Sequence, residues 1–438
     1  MRRGGVWSDG RGGDAKLRGA LKGKAMRGGF RLGTLMLLTA AACGARTGLE
    51  VPDAATPSEA EAPALVPLCI EAPLGAPPIE VPLQTQARLE RMDVAFLLDT
   101  TRSMSEEIAR IKRSLSRIIA PAIRQEVRDS QLAFATFADF PVGEYGGPGD
   151  RPFVLRQRSS PDVLQVQGAI DSIRLDDGAD MAESQVEALY QIATGKGLGD
   201  ANQRWIAPSG GCPGGGRGYL CLRDESLAVV ILISDAPMHN GPDGRYAYAT
   251  GSIVPPPHRY AEAIAALNAQ EIRVMGVSSG GEEGTRDLRR LAEDTGALGR
   301  DGQPLVFGIR SNGSGLDRRI VEALQIFTDA VVSDISARAV DPEAGGFDSA
   351  TLVGRIVPLR AEPASGVSAI DLQNDIFRGV VSGTRVVFGL VIRNGVVMPT
   401  DMPQRFRVQI RFLGSAGALL GAVPVDIVVP SIAGEGCP

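Results

Sequence analysis

Histidine is nearly missing from this chain: His239 and His258 are the only two in 438 residues. That scarcity disfavours His-rich zinc sites and most His-based catalysis. Aromatic residues are also sparse, with thirteen Phe, six Tyr and two Trp, which argues against a platform for stacking bases. Basic excess is lacking too. The formal net charge is −5, so the chain carries no electrostatic footprint for nucleic acid. It holds no Gly-Lys-Ser/Thr phosphate loop, no Cys-x-x-Cys pair and no internal repeat. The apolar run at 32–42 is too short to span a bilayer.

What remains is ordinary globular material, 44% hydrophobic and 22% charged, long enough for two or three domains. The first residues are Gly/Arg-rich and unpatterned. A basic flank (Met26, Arg27, Arg31), a short apolar run and Ala40-Ala41-Ala42-Cys43 then follow. This order makes a secretory signal. It resembles a bacterial lipoprotein signal, which implies cleavage before Cys43, lipid on its sulfur and an envelope location, the outer membrane first. The family's usual Leu three residues before the Cys is Ala40 here. Plain signal cleavage is the alternative. Met26 offers a second start, which would make the preceding residues an upstream extension. Residues 44–67, rich in Ala, Pro and Glu, read as a semi-extended tether.

Four further cysteines, Cys69, Cys212, Cys221 and Cys437, read as disulfides in an exported chain. A Cys212–Cys221 bridge would pin the flexible loop between them. A Cys69–Cys437 bridge would bring the two ends of the folded part together. Two other connectivities stay open.

From residue 90 onward β and α signals alternate, as a mostly parallel α/β sheet requires. Strands are expected at 94–98, 131–137, 227–233 and 272–277. Helices are expected at 105–127, 161–173, 182–192, 260–269, 285–295 and 316–332. After Asp334 the helix patterns stop. Short β-runs at 351–358, 384–393, 406–412 and 423–429 suggest an antiparallel β-sandwich. The expected organisation is a signal at 1–43, the tether at 44–67, a β segment at 68–89, an α/β domain at 90–335 and a β domain at 336–438.

The most informative stretch is Val94-Ala95-Phe96-Leu97-Leu98-Asp99-Thr100-Thr101-Arg102-Ser103. An apolar strand buried on both faces stops at Asp99, with Thr101 and Ser103 at alternate positions just beyond. In open α/β sheets ligands bind past such strand ends. One carboxylate and two hydroxyls are hard donors, suited to Mg²⁺, Mn²⁺ or Ca²⁺. Val229-Val230-Ile231-Leu232-Ile233-Ser234-Asp235 repeats the pattern, and a bare carboxylate there would be costly to desolvate.

Asp-x-Thr-x-Ser after a hydrophobic strand resembles the metal-ion-dependent adhesion site of von Willebrand factor A domains, over residues 93–334. The resemblance implies a doubly wound, Rossmann-like sheet. It also implies cation-dependent binding of a partner's acidic residue. The second loop, Asp176-Asp177-Gly178-Ala179-Asp180-Met181-Ala182-Glu183-Ser184, is similar to the integrin β-subunit version. By that resemblance Glu183 ligates the central metal, directly or through water, and Asp180 serves a neighbouring calcium site. Where integrin β chains often carry Pro, this chain has Ala182. Glu106 and Glu107 stand where those chains bind an adjacent cation, although a helix's first turn favours acids in any case. Integrin β chains also insert the A domain between strands of a sandwich, an arrangement that a Cys69–Cys437 bridge would lock here.

The expected function is binding rather than turnover, because nothing near these residues supplies a general base. A structural envelope protein and a docking subunit for a catalytic partner are the alternatives. Arg102, where the family often has Gly, is expected to face solvent or a partner. His239 is expected to serve its loop through hydrogen bonds rather than as a ligand. Gly276-Val277-Ser278-Ser279-Gly280 fits a nucleophile elbow, but both histidines precede it, against the chain order of α/β-hydrolases.

Overall fold

The computed structural model describes residues 68–200, 203–343 and 346–437. The signal, Cys43 and the tether at 44–67 lie outside the described residues. The fold is mixed α/β, with one mostly parallel sheet and further, mainly antiparallel sheets.

Two strands, β1 (Leu68–Glu71) and β2 (Ile79–Gln86), precede the α/β unit. Its sheet contains β3 (Arg91–Asp99), β4 (Asp129–Phe137), β5 (Val154–Ser160), β6 (Leu227–Ser234), β7 (Ile272–Ser278) and β8 (Val306–Gly308). Their spatial order is β8-β7-β6-β3-β4-β5. All neighbours are parallel except the edge pair β4/β5. The chain leaves β3 toward β4 and β5, then returns to its other side as β6. The order therefore reverses between β3 and β6, the crevice where open sheets bind ligands.

Alternation along β3 feeds two helical layers. Val94, Phe96 and Leu98 face α1 (Ser105–Ser114), α3 (Val163–Asp171) and α7 (Leu316–Val331). Ala95 and Leu97 face α4 (Gln185–Thr194), α5 (Tyr260–Ala269) and α6 (Glu282–Thr295). The helix expected at 105–127 is interrupted. A π-type turn at Leu115–Ile119 separates α1 from α2 (Ala120–Glu126). Pro121 explains the break, since it has no N–H for the helical ladder and its ring crowds the preceding turn. Among the described residues no helix is long and apolar enough to cross a membrane.

The remaining strands are β9 (Ser336–Val340), β10 (Val353–Glu362), β11 (Arg385–Ile392), β12 (Gln404–Leu413) and β13 (Leu419–Val429). They form sheets of order β1-β13-β12-β9 and β10-β11-β2. Segment 68–89 thus pairs with strands about 300 residues or more downstream: Ile70 lies opposite Ile427, and Leu83 opposite Phe388. Val386, Phe388 and Leu390 of β11 share a core with Val408, Ile410 and Phe412 of β12. Disulfides join Cys69 to Cys437 and Cys212 to Cys221, with Cα atoms 6.0 and 5.4 Å apart.

Candidate metal centre

Three loops meet above the β3/β6 crevice. In the first, Asp99 is fully buried. Its Oδ1 accepts from the Thr101 amide at 2.9 Å and the Thr101 hydroxyl at 2.7 Å. Its Oδ2 accepts from the Ser234 hydroxyl at 2.7 Å. The oxygens then run on across the crevice. Thr101 Oγ1 lies 3.2 Å from Ser103 Oγ, which donates to Asp235 Oδ1 at 3.1 Å. A cation holding oxygens at ~2.1 Å in an octahedron places adjacent ligands about 3.0 Å apart. The spacing of this row fits shared coordination.

The second loop is stitched to both others. The Asp176 amide donates to the Thr100 carbonyl, and the Glu183 amide to the Pro237 carbonyl. Buried Asp150 accepts from the Asp177 and Gly178 amides at 2.8 and 2.9 Å, which fixes the turn. Gly178 has φ +64°, and a Cβ there would lie 3.1 Å from Thr101 and 3.2 Å from Glu183 Oε1. The loop therefore passes close to both candidate ligands. Glu183 precedes α4, whose N-cap is Ser184. Neither Glu183 nor Asp180 lies in a first helical turn, so helix-end charge does not account for them.

Glu183 is 4% exposed, and its Oε2 finds no hydrogen-bond partner among the described residues. Burial, reinforced by Asp99, Asp139, Asp180 and Asp150, pushes its carboxyl up to about 11. Burial also lifts Asp99 to about 7 against its hydrogen bonds, with Asp235 adding repulsion. These are the marks of a site short of positive charge. Thr101, Ser103, Asp180, Glu183 and Asp235 line one cleft of about 490 Å³. A buried carboxylate with an unmet oxygen, beside hard donors only, fits a divalent cation.

Arg102 does face outward. Its side chain is 74% exposed and pairs with Asp177, Nε to Oδ1 2.9 Å. Glu106 and Glu107 occupy the first turn of α1. Glu106 is exposed. Glu107 is 1% exposed, and neither of its carboxylate oxygens makes a well-formed hydrogen bond among the described residues. Burial raises its pKa, and Asp235 and Glu106 add to the rise.

Three of the solved structures to which the chain is similar illustrate the likeness. A von Willebrand factor type A protein from Catenulispora acidiphila shares 12% identity, with 83% of this chain and 72% of that one covered, at TM-score 0.31. Proximal thread matrix protein 1 from the mussel byssus shares 16%, over 57% and 48%, at 0.31. The pilus adhesin SpaC from Lactobacillus rhamnosus GG, in its open conformation, shares 11%, over 82% and 45%, at 0.34. The chain thus spans less than half the length of the last two. No family model and no curated protein matches it.

A second group lies beside the first: Asp180, expected from the sequence to serve a neighbouring cation, is joined by His239, expected there only to hydrogen-bond within its loop, and by Asp139, which sequence reading missed. Carboxylate or imidazole atoms of Asp139, Asp180 and His239 all come within 4.8 Å of one another and could hold a metal ion. His239 Nε2 is 3.1 Å from both Asp139 Oδ2 and Asp180 Oδ2, while Nδ1 lies 2.6 Å from the Tyr246 carbonyl. Burial opposes the charged imidazole, but Asp139, Tyr246 and Asp180 outweigh it and hold His239 above its ordinary pKa. Burial raises Asp139 and Asp180 despite His239. The signal for Asp139 was available: it follows Phe137-Ala138 just past β4, as Asp99 and Asp235 end their strands.

Proposed function

We propose that this chain is a divalent-cation-dependent binding protein of the bacterial cell envelope. Asp99, Thr101, Ser103 and Asp235 hold Mg²⁺ (Mn²⁺ or Ca²⁺ in its place), and Glu183 joins them directly or through water. The ion, when bound, supplies Lewis acidity toward a partner's Glu or Asp carboxylate. The protein's part is to present the oxygens from three fixed loops and to keep the approach open. Asp180, with Asp139 and His239, forms a neighbouring cation position, and Glu106 and Glu107, the latter within electrostatic reach of Asp235, offer a further acidic pair. The reading is of a binder and not an enzyme. Lipid on Cys43 anchors the chain, in the outer membrane, through the tether. The strands at either end of the α/β unit form one β-sandwich into which that unit is inserted.

The observation that carries the proposal is Glu183. It is buried, its Oε2 has no hydrogen-bond partner among the described residues, burial and neighbouring carboxylates push its pKa up to about 11, and it lines the cleft with Thr101, Ser103, Asp180 and Asp235. Isothermal titration with Mg²⁺ tests it. Saturable heat is expected from the native chain and none from Asp99→Ala. An identical trace for the two, or no heat from either, overturns it. A short Glu-containing peptide should then bind only while the cation is present, with EDTA abolishing the signal.

A further inference from the structure

The end of the molecule opposite the cleft gathers several exposed apolar side chains on one set of loops. Strand registers define that end. Gln86 pairs with Arg385 next to the α/β unit, and β3 starts at Arg91 and runs away from the β-sheets to Asp99. Ile79, paired with Ile392, is therefore at the far pole. Three loops meet there, at 72–79, 394–404 and 430–434. The Gly75 amide donates to the Asn394 carbonyl at 3.0 Å, and buried Asn394 Nδ2 donates to the Ala72 carbonyl at 3.1 Å. The Ile432 amide donates to the Thr400 carbonyl at 2.9 Å. The loops are thus one stitched surface.

Across these three stretches a single charged residue occurs, Asp401, with exposed Glu71, Glu80, Arg393 and Glu435 at their borders, in a chain that is 22% charged. In place of charge the pole presents apolar side chains. Leu74 and Ile79 are each 38% exposed, Val396 64%, Met398 67%, Met402 70% and Ile432 70%. Apolar exposure gathered on stitched loops is the kind of surface that a partner or a lipid covers.

We infer that this pole docks on the lipid bilayer, with its loop tips in the headgroup and acyl boundary. The inference rests on the envelope reading above. The chain outside the described residues selects this occupant. Leu68, the first described residue, lies three residues from Glu71 at the same pole, about 10 Å of strand. Residues 44–67 separate it from Cys43. Fully extended, 24 residues span at most about 80 Å, enough to bring the pole to a membrane. An apolar, charge-poor pole supplies the orientation, because tethering raises its effective concentration at the lipid surface. The pole down and the cleft up place the metal centre as far from the bilayer as this fold allows, facing a partner.

A polarity-sensitive fluorophore tests this on the full chain reconstituted into phosphatidylethanolamine/phosphatidylglycerol vesicles. Met398→Cys carries the label at the pole. Leu164→Cys, on α3 and 75% exposed, carries it elsewhere. Spin-labelled acyl chains should quench the Met398→Cys probe at least fivefold more than the Leu164→Cys probe. Vesicle association with equal quenching overturns the docking and leaves the anchor reading intact. A chain that does not associate with vesicles overturns both, and Mg²⁺ titration judges the metal centre separately. A dimer seen by sedimentation without lipid, and abolished in Val396→Ser/Met398→Ser/Ile432→Ser, would assign the pole to a second copy and overturn the inference.

Discussion

Asp99 sits where an ionised carboxylate is expensive. Burial raises its pKa from 3.8 to about 7, although three hydrogen bonds favour the charged form. The folded chain therefore holds this proton more tightly than the unfolded chain does. Without metal, stability should fall as pH rises from about 4 through 7, by on the order of 4 kcal/mol at ~1.4 kcal/mol per unit. Asp99→Asn keeps the shape without the charge. It should lessen that slope in urea unfolding measured at pH 5 and pH 8, with Glu183 supplying what remains, while losing cation binding. Added Mg²⁺ should stabilise the native chain more at pH 8 than at pH 5. Glu183 supplies a second readout. With its carboxyl near 11, cation binding at pH 8 should release about one proton. Titration in buffers of different ionisation enthalpy should show that release, and Glu183→Gln should remove it.

Elements explain which ligands could be read from the sequence and which could not. Asp99 and Asp235 end continuous apolar strands, and an abrupt stop in a fully buried strand is a strong local signal. Asp139 carries the same signal more weakly, because Ala138 separates it from the end of β4. Strand β5, Val-Leu-Arg-Gln-Arg-Ser-Ser, was not legible. It is a half-buried edge strand of irregular register, so no alternation is imposed on it. The nucleophile-elbow pattern has a packing origin. A Cβ on Gly280 would lie 1.8 Å from the Asp235 carbonyl, and one on Gly276 would meet Leu288. Those glycines let β7 and its turn pass close to the third loop and α6. Gly178 does comparable work for the second loop. Gly178→Ala would strain a left-handed residue and press on Thr101 and Glu183, at ~1 kcal/mol of backbone cost. It should weaken Mg²⁺ at least tenfold in the same titration, with the far-UV circular dichroism spectrum unchanged.

At the scale of the whole molecule, pairing across the chain was legible only in outline. Strand signals before and after the α/β unit were plain, and so was the even cysteine count, but neither sets a partner order such as β1-β13-β12-β9. That order follows from which inner faces share a core, here Phe388, Phe412 and Phe377 in ring contact. The consequence is mechanical separation. Strand β1 lies at a sheet edge, held by four residue pairs with β13 and by the Cys69–Cys437 bridge. The cleft stands at the other end of β3, fixed by hydrogen bonds within the α/β unit. Removing the bridge should therefore loosen the β-sheets and leave the metal centre alone. Cys69→Ser/Cys437→Ser should lower unfolding stability by ~2–5 kcal/mol, since the bridge closes a loop of 368 residues, while the Mg²⁺ dissociation constant stays within twofold. A parallel loss of cation affinity would mean that the loops above the β3/β6 crevice depend on how the two ends of the chain are held.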